Sequence, residues 1–375
     1  MAKAYTPGLK VSARASYRAR RVLPVPGEVL VKAGAAVKAR DVVARTFIDG
    51  EVTPVAVASQ LSVPAGDLAA IMLVKPGDAV KAGQLIARTK GIFGLGKKEL
   101  ASPADGTIES ISATTGQMIL RGEPVAVEVH AYVDGTVAEV LPGEGAVVES
   151  DAVFVQGIFG VGGETVGPIR AACLRHDMPL DAPQINAGMK GAVVLGGARV
   201  TAAAVKAAQA AGVAAIVTGG IDDADLKAIL GYDLGVAITG TEKIGITIVV
   251  TEGFGDIAMA ERTFALLMGF AGREASVNGA TQIRAGVMRP EIVIARQPSD
   301  PAPAQGARPE EGALEIGTQV RLIRDPYFGL LGGVSALPNE PAVLGSGSKA
   351  RVLEVALADG RRVIVPRANV ELIET

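Results

Sequence analysis

The sequence predicts a multidomain α/β plus all-β chain, and three observations carry that prediction. Residues 29–46, VLVKAGAAVKARDVVART, return at 72–89 as MLVKPGDAVKAGQLIART, with eleven of eighteen positions identical at an offset of 43. Such an internal repeat points to one structural unit built twice. Residues 28–150 are short alternating runs punctuated by Gly, the pattern of successive strands and tight turns. From residue 190 onward, apolar runs alternate with helical-periodic segments, as in parallel βαβ units.

Composition narrows the class. A chain of 375 residues is long enough for two or three domains. It is 49% hydrophobic but only 3% aromatic, with no Trp. Ala and Val therefore fill the cores, which implies close packing of small residues. No apolar run approaches the length of a membrane-spanning helix, and the N-terminus lacks the apolar stretch of a signal peptide. A cytoplasmic protein is expected. The one cysteine, Cys173, excludes an intramolecular disulfide and any Cys-based metal cluster.

The elements follow in order. Residues 1–27 read as a basic arm ending in LPVPG. Residues 1–45 hold ten Lys/Arg against Glu28 and Asp41. Arg18, Arg20 and Arg21 are candidate contacts to RNA, an acidic partner or an anionic surface; a solvated tail is the competing reading. Residues 28–167 read as a β domain. Within it GTIESISATTGQMI (106–119) is echoed by GTVAEVLPGEGAVV (135–148), and GIFGLG (91–96) by GIFGVG (157–162). Phe93 and Phe159 occupy equivalent loop positions in a chain poor in aromatics. They are candidate anchors for a partner or a domain interface.

Residues 168–297 read as an α/β domain, with the strands KGAVVLGG, AAIVTGG and GITIVVTEGFG, and a shorter segment GVAITG. Helices begin at the N-caps Thr201 and Asp222, with a third over 256–272; Gly212, Gly231 and Gly272 are expected stops. Ligands of parallel sheets sit at the carboxyl ends of the strands. That places Gly196, Gly197, Thr218, Gly219, Gly220, Thr251, Glu252 and Gly253 as candidate ligand-binding residues, the glycines exposing N–H groups to an anion. The competing reading is short loops that use Gly for geometry and Asp for capping. Arg284 and Arg289 either clamp an anion or pair with Glu261, Glu274 or Glu291 at a domain boundary. Residues 298–313 form a Pro/Ala/acidic linker, and 314–375 return to β structure with an Ala-Asp-Gly hairpin turn.

Two segments carry resemblances. VKPGDAVKAGQLIA (74–87) and SPADGTIESISATTGQMI (102–119) resemble the barrel-sandwich hybrid of biotinyl and lipoyl domains. The likeness is closer to the non-carrier version in membrane electron-transport subunits of the RnfC and NqrA type. It implies two interlocked halves around a pseudo-twofold. It does not imply a carrier lysine, because TKGIFGLGKKEL around Lys97 and Lys98 matches neither acceptor pattern. It does not imply electron transfer either, because the cysteine clusters are missing. GTQVRLIRDPYFGLLGGV (317–334) resembles a KOW-type SH3-like barrel, whose relatives bind RNA, ribosome or RNA polymerase. Tyr327 and Phe328 are then candidate contacts, either stacking on a base or plugging the barrel end. Seven Lys/Arg against six acids over 316–375 is a thin charge for tracking phosphates.

Other chemistry is not legible. His130 and His176 stand in unrelated contexts, and no metal-spaced cluster occurs. GVGGETVG (160–167) lacks the Lys-Ser/Thr of a phosphate loop. Cys173, between Arg170 and Arg175, is either a lowered-pKa thiol or a small buried hydrophobe. No cofactor is expected. The sequence thus reads as a non-enzymatic scaffold or adaptor that binds protein, RNA, ribosome or polymerase, or assembles with itself. The rivals are a ligand-binding or enzymatic site at the strand ends, and a lysine-modified carrier.

Overall fold

The computed structural model describes residues 9–90, 97–232, 242, 244–281, 288–301, 314–323, 326–327, 330–338, 340–343, 349–357 and 359–372. The mixed, strand-rich character expected from the sequence is present, and several sheets share it. Phe93, Phe328, Arg284, the GVAITG segment and residues 302–313 of the linker lie outside the described residues.

The repeat folds as two nested copies. Val37 pairs with Gly135 and Ala36 with Thr136; in the second copy Val80 pairs with Gly106 and Ala79 with Thr107. Gly34 and Gly77 turn the chain at equivalent points, with φ of 80° and 93°, a conformation that costs a residue with Cβ. Their amides donate to Val137 O and Ile108 O, each at 2.8 Å. Both copies are closed by the same clamp. Asp134 accepts from the Ala39 amide (2.8 Å) and Lys38 Nζ (2.8 Å), and Asp105 accepts from the Ala82 amide (2.7 Å) and Lys81 Nζ (3.2 Å).

The second copy is inserted into the first. Val42–Ile48 leaves the outer module and Val125–His130 returns to pair with it. Between them, residues 51–122 build a complete inner module with its own core of Leu68, Ile86, Ile108, Met118 and Leu120. The neck is narrow: the Gly122 amide donates to Glu51 O at 2.9 Å.

The expected boundary at Pro168 is not a boundary. Pro168 lies inside the strand Glu164–Ala171, which pairs in parallel with Val193–Leu195 on one edge and antiparallel with Glu274–Asn278 on the other. A single twelve-stranded sheet runs from the parallel strands (Glu164–Ala171, Val193–Leu195, Ala215–Ile221, Thr247–Phe254) through Glu274–Asn278 and Glu291–Ala295 into Gly145–Gln156 of the outer module. Fully buried strands such as Ala215–Ile221 read as continuous apolar runs because both faces are covered. Helices Ala202–Ala211 and Asp223–Leu230 pack Val205, Ala208 and Leu226 on one face, against Ile216 and Ile248. Helix Glu261–Gly269 packs Phe264 and Leu267 on the other, against Val217 and Val249. This last helix starts five residues later than the expected Asp256, because residues 256–260 run as loop over the strand ends. Thr201 caps its helix by accepting from the Ala204 amide. Asp222 holds the expected N-cap position, but its side chain makes no capping bond; its carboxylate pairs with Arg199 instead.

The basic arm is also corrected. Val11–Val22 is a twelve-residue strand pairing antiparallel with Gly145–Gln156, since alternate residues Ala15, Tyr17 and Ala19 supply an inward face. The linker begins later than expected, because Arg273 holds Asp300 at 2.9 Å. The C-terminal segment forms a five-stranded antiparallel sheet around Val320, Leu353, Val355 and Val370. Among the described residues no helix is long and apolar enough to cross a membrane.

Candidate functional site

The strand-end site expected from the sequence is filled with protein. All eight candidates, Gly196, Gly197, Thr218, Gly219, Gly220, Thr251, Glu252 and Gly253, are buried. Loops 173–180 and 255–260 lie directly on the glycines. A Cβ at Gly197 would collide with Arg175 O and Met178 O, and one at Gly219 with the Met259 amide. The amides that an anion would need are spent internally: Gly196 N donates to Val217 O, Gly219 N to Gly197 O, and Gly220 N to Ala198 O. Thr218 donates to Ala198 O and Thr251 to Thr218 O. His176 seals the same edge, its Nδ1 lying 2.8 Å from Met259 O. The glycines serve close packing, the competing reading of the same motif. Cys173 is buried beneath this edge, and burial pushes its thiol pKa up.

Glu252 is drawn into a buried ion cluster instead. Its Oε2 lies 2.7 Å from Arg321 Nη2, and its Oε1 accepts from the Ala260 amide at 3.1 Å. Arg321 continues to Glu371 (3.5 Å), and Glu371 to Arg289 Nη1 (3.0 Å). The order Glu252–Arg321–Glu371–Arg289 alternates charge and joins the body to two strands of the C-terminal sheet. Arg289 does pair at a domain boundary, but with Glu371 rather than Glu261, Glu274 or Glu291. Glu371 is fully buried. Burial pushes its carboxyl pKa up against the pull of Arg289 and Arg321, and neither of its oxygens makes a well-aligned hydrogen bond. No local pattern announces this cluster, because its four members come from four separate segments.

An open concavity lies elsewhere. Gly145–Gln156 changes neighbour part-way along one edge: Gly145–Glu149 pairs with Gly135–Leu141, and Ala152–Gln156 with Glu291–Ala295. Two strands diverging from one leave a wedge at Ser150–Asp151. The resulting cleft has a volume of about 830 Å³. Residues 36–39 and 133–136 of the outer module form one wall, and residues 272–276 and 293–298 of the body form the other. Arg40 bridges the two sides, reaching Glu274 Oε1 at 2.6 Å and Val166 O at 2.9 Å.

Both charge signs line the cleft, largely paired within its walls. Lys38 meets Asp134, and Arg14 meets Asp151 at 3.0 Å. Arg296 is held by carbonyls, Ala13 O and Pro301 O. On the sheet's inner face sits a tyrosine–glutamate cluster. Tyr17 donates to Glu291 Oε1 at 2.6 Å. Tyr132, at φ 71°, is buried beside them with no well-aligned hydrogen bond to its hydroxyl. Arg21 stacks on the Tyr132 ring, its Cζ 5.2 Å from the centroid, and makes a paired contact to Glu164 at 2.8 and 2.6 Å. Burial pushes the Glu291 carboxyl pKa up and the Tyr17 phenol pKa up.

The remaining candidates separate. Arg18 and Arg20 stand on the exposed face of Val11–Val22 beside Glu149 (3.9 Å) and Glu144 (3.5 Å). Phe159 is buried and packs on Phe254, ring centroids 5.1 Å apart; it is a core residue and not a contact surface. Tyr327 packs against the C-terminal core. Lys98 Nζ donates to Ser62 Oγ at 2.9 Å. Asp105 and Asp134, which close the two modules, were legible as the repeated triplet Asp-Gly-Thr at 105–107 and 134–136. Compared with known proteins, the chain matches no family model and no curated protein sequence.

Proposed function

We propose that this chain is a non-enzymatic adaptor that holds a polar partner segment in the cleft between its outer module and its body. On this reading the two nested modules are barrel-sandwich hybrids of the non-carrier kind, and the C-terminal sheet is a KOW-type SH3-like barrel serving protein contact. The observation that carries the reading is the cleft itself. It is open, about 830 Å³ in volume, and bounded by paired charges of both signs. Polar backbone and charged side chains of another chain find partners in such walls, and Val37, Val293 and Pro298 between the charges give it apolar surface to bury. The filled strand ends weigh against the rival site there.

The test is affinity capture of partners by the full chain, with and without nuclease, beside a cleft-blocked variant, Thr136→Trp with Gln297→Trp. A partner retained by the parent and lost by the blocked variant supports the reading. Recovery of the parent as a lone chain, or equal capture by both, overturns it. Loss on nuclease treatment assigns the contact to nucleic acid and overturns the protein-segment reading.

A further inference from the structure

We propose that the free edge of Val11–Val22 is a docking strand for an extended acidic peptide. Among the described residues this strand has one ladder partner, Gly145–Gln156, and none of them pairs with its second edge. Its N-terminal end is closed. The register slips between Ser12 and Ala15, Ser12 Oγ donates to Arg14 O, and Arg296 takes Ala13 O. From Ala15 to Val22 the ladder is regular. This open run offers backbone groups for a further strand.

The side chains say what that strand carries. Arg14, Arg18 and Arg20 are all exposed and share the sheet's outer face. Their carboxylate neighbours Asp151, Glu149 and Glu144 lie on the inner side, at 3.0, 3.9 and 3.5 Å. Each guanidinium has five donors in a planar fork, so donors remain for a carboxylate on the outer side. An incoming strand with acidic residues at alternate positions places them about 6.8 Å apart, in step with Arg18 and Arg20. The arginine row then stands between two acidic rows, which is favourable cross-strand pairing.

The same geometry disfavours the other occupants. In a twofold pairing of this strand with a second copy, residues of like parity face each other. Arg14 meets Arg20, for example, and like charges directly opposite destabilise. A nucleic-acid backbone has no amides or carbonyls in strand register and cannot supply the ladder bonds. The edge borders the cleft through Glu149, Asp151 and Arg296, but only the edge needs backbone amides of its occupant, so an N-methylated peptide separates the two.

The experiment uses the full chain and a synthetic octapeptide alternating Glu with Val. Binding is measured by fluorescence anisotropy, and amide exchange is followed over residues 15–22. The expected result is binding with protection of those amides. An N-methylated peptide of identical charge, unable to form the ladder, binds at least about tenfold more weakly. The variant Arg14→Glu, Arg18→Glu, Arg20→Glu loses the acidic peptide and gains one alternating Lys with Val. Equal binding of the N-methylated peptide reduces the effect to simple charge attraction and overturns the proposal. So do absence of binding, and preference for a single-stranded oligonucleotide. If the triple variant misfolds, the N-methylated peptide still decides.

Discussion

Arg321 Nη2 lies 2.7 Å from Glu252 Oε2, and neither side chain is more than a tenth exposed. One residue opens the C-terminal sheet and the other ends a parallel strand of the body. Two charges withdrawn from water are tolerable only when paired, so this contact fixes how the two parts meet. Arg321→Met leaves Glu252 and Glu371 without their shared cation. The expected cost is about 3–5 kcal/mol, with faster amide exchange over residues 319–322 and 370–372. Unchanged exchange there would mean the cluster does not hold the sheet in place.

Glu291 gives a pH signature of defined sign. Burial raises its folded pKa above the ordinary 4.5. A raised carboxylate pKa contributes stability below the unfolded value, and that contribution is lost as pH rises through the folded value. Glu291→Gln keeps an acceptor for Tyr17 and removes the ionisation. Relative to the parent, the variant should gain thermal stability as pH rises from 4 to 8. A constant difference in Tm across that range would show that Glu291 ionises without penalty.

Gly219→Ala tests what the strand-end glycines are for. A Cβ there meets the Met259 amide and Ile257 O. Both are backbone and cannot swing aside. Overpacking of this kind costs about 1–3 kcal/mol, read as a lowered denaturation midpoint. A variant as stable as the parent would mean that the loop over the strand ends stands off, and the edge would regain its claim as a binding site.

The inner module should be removable. Its core is its own, and Gly50 and Gly122 lie in contact where it joins the outer module. Joining Gly50 directly to Gly122 leaves Val42–Ile48 and Val125–His130 as an ordinary hairpin. The shortened chain is expected to melt cooperatively, with the parent's exchange protection over residues 145–156. Loss of that protection would show that the inner module supports the sheet as well as decorating it.

Much of this organisation is local, and local patterns are readable. Gly34 and Gly77 recur because each copy needs a left-handed turn residue, and the repeat therefore exposed both turns. Thr201 was readable as a helix cap because it bonds three residues on. The parallel strands were readable because burial on both faces leaves continuous apolar runs. The two Asp clamps stand in the same repeats as Asp-Gly-Thr, one residue before Gly106 and Gly135.

What sequence alone determined is therefore the kind of each element: the duplicated β unit, the parallel strands and the β-rich C-terminus. Tertiary structure decided what those elements touch. Arg18 and Arg20 read as a loose basic arm until Val11–Val22 was seen paired along Gly145–Gln156. Phe159 reads as an anchor for a partner or a domain interface; the fold packs it inside the core against Phe254. Glu252 read as a ligand residue until Arg321, sixty-nine positions away, was seen to take its charge. The reason is physical: propensity and periodicity act over a few residues, whereas burial and charge neutralisation depend on which distant segments meet.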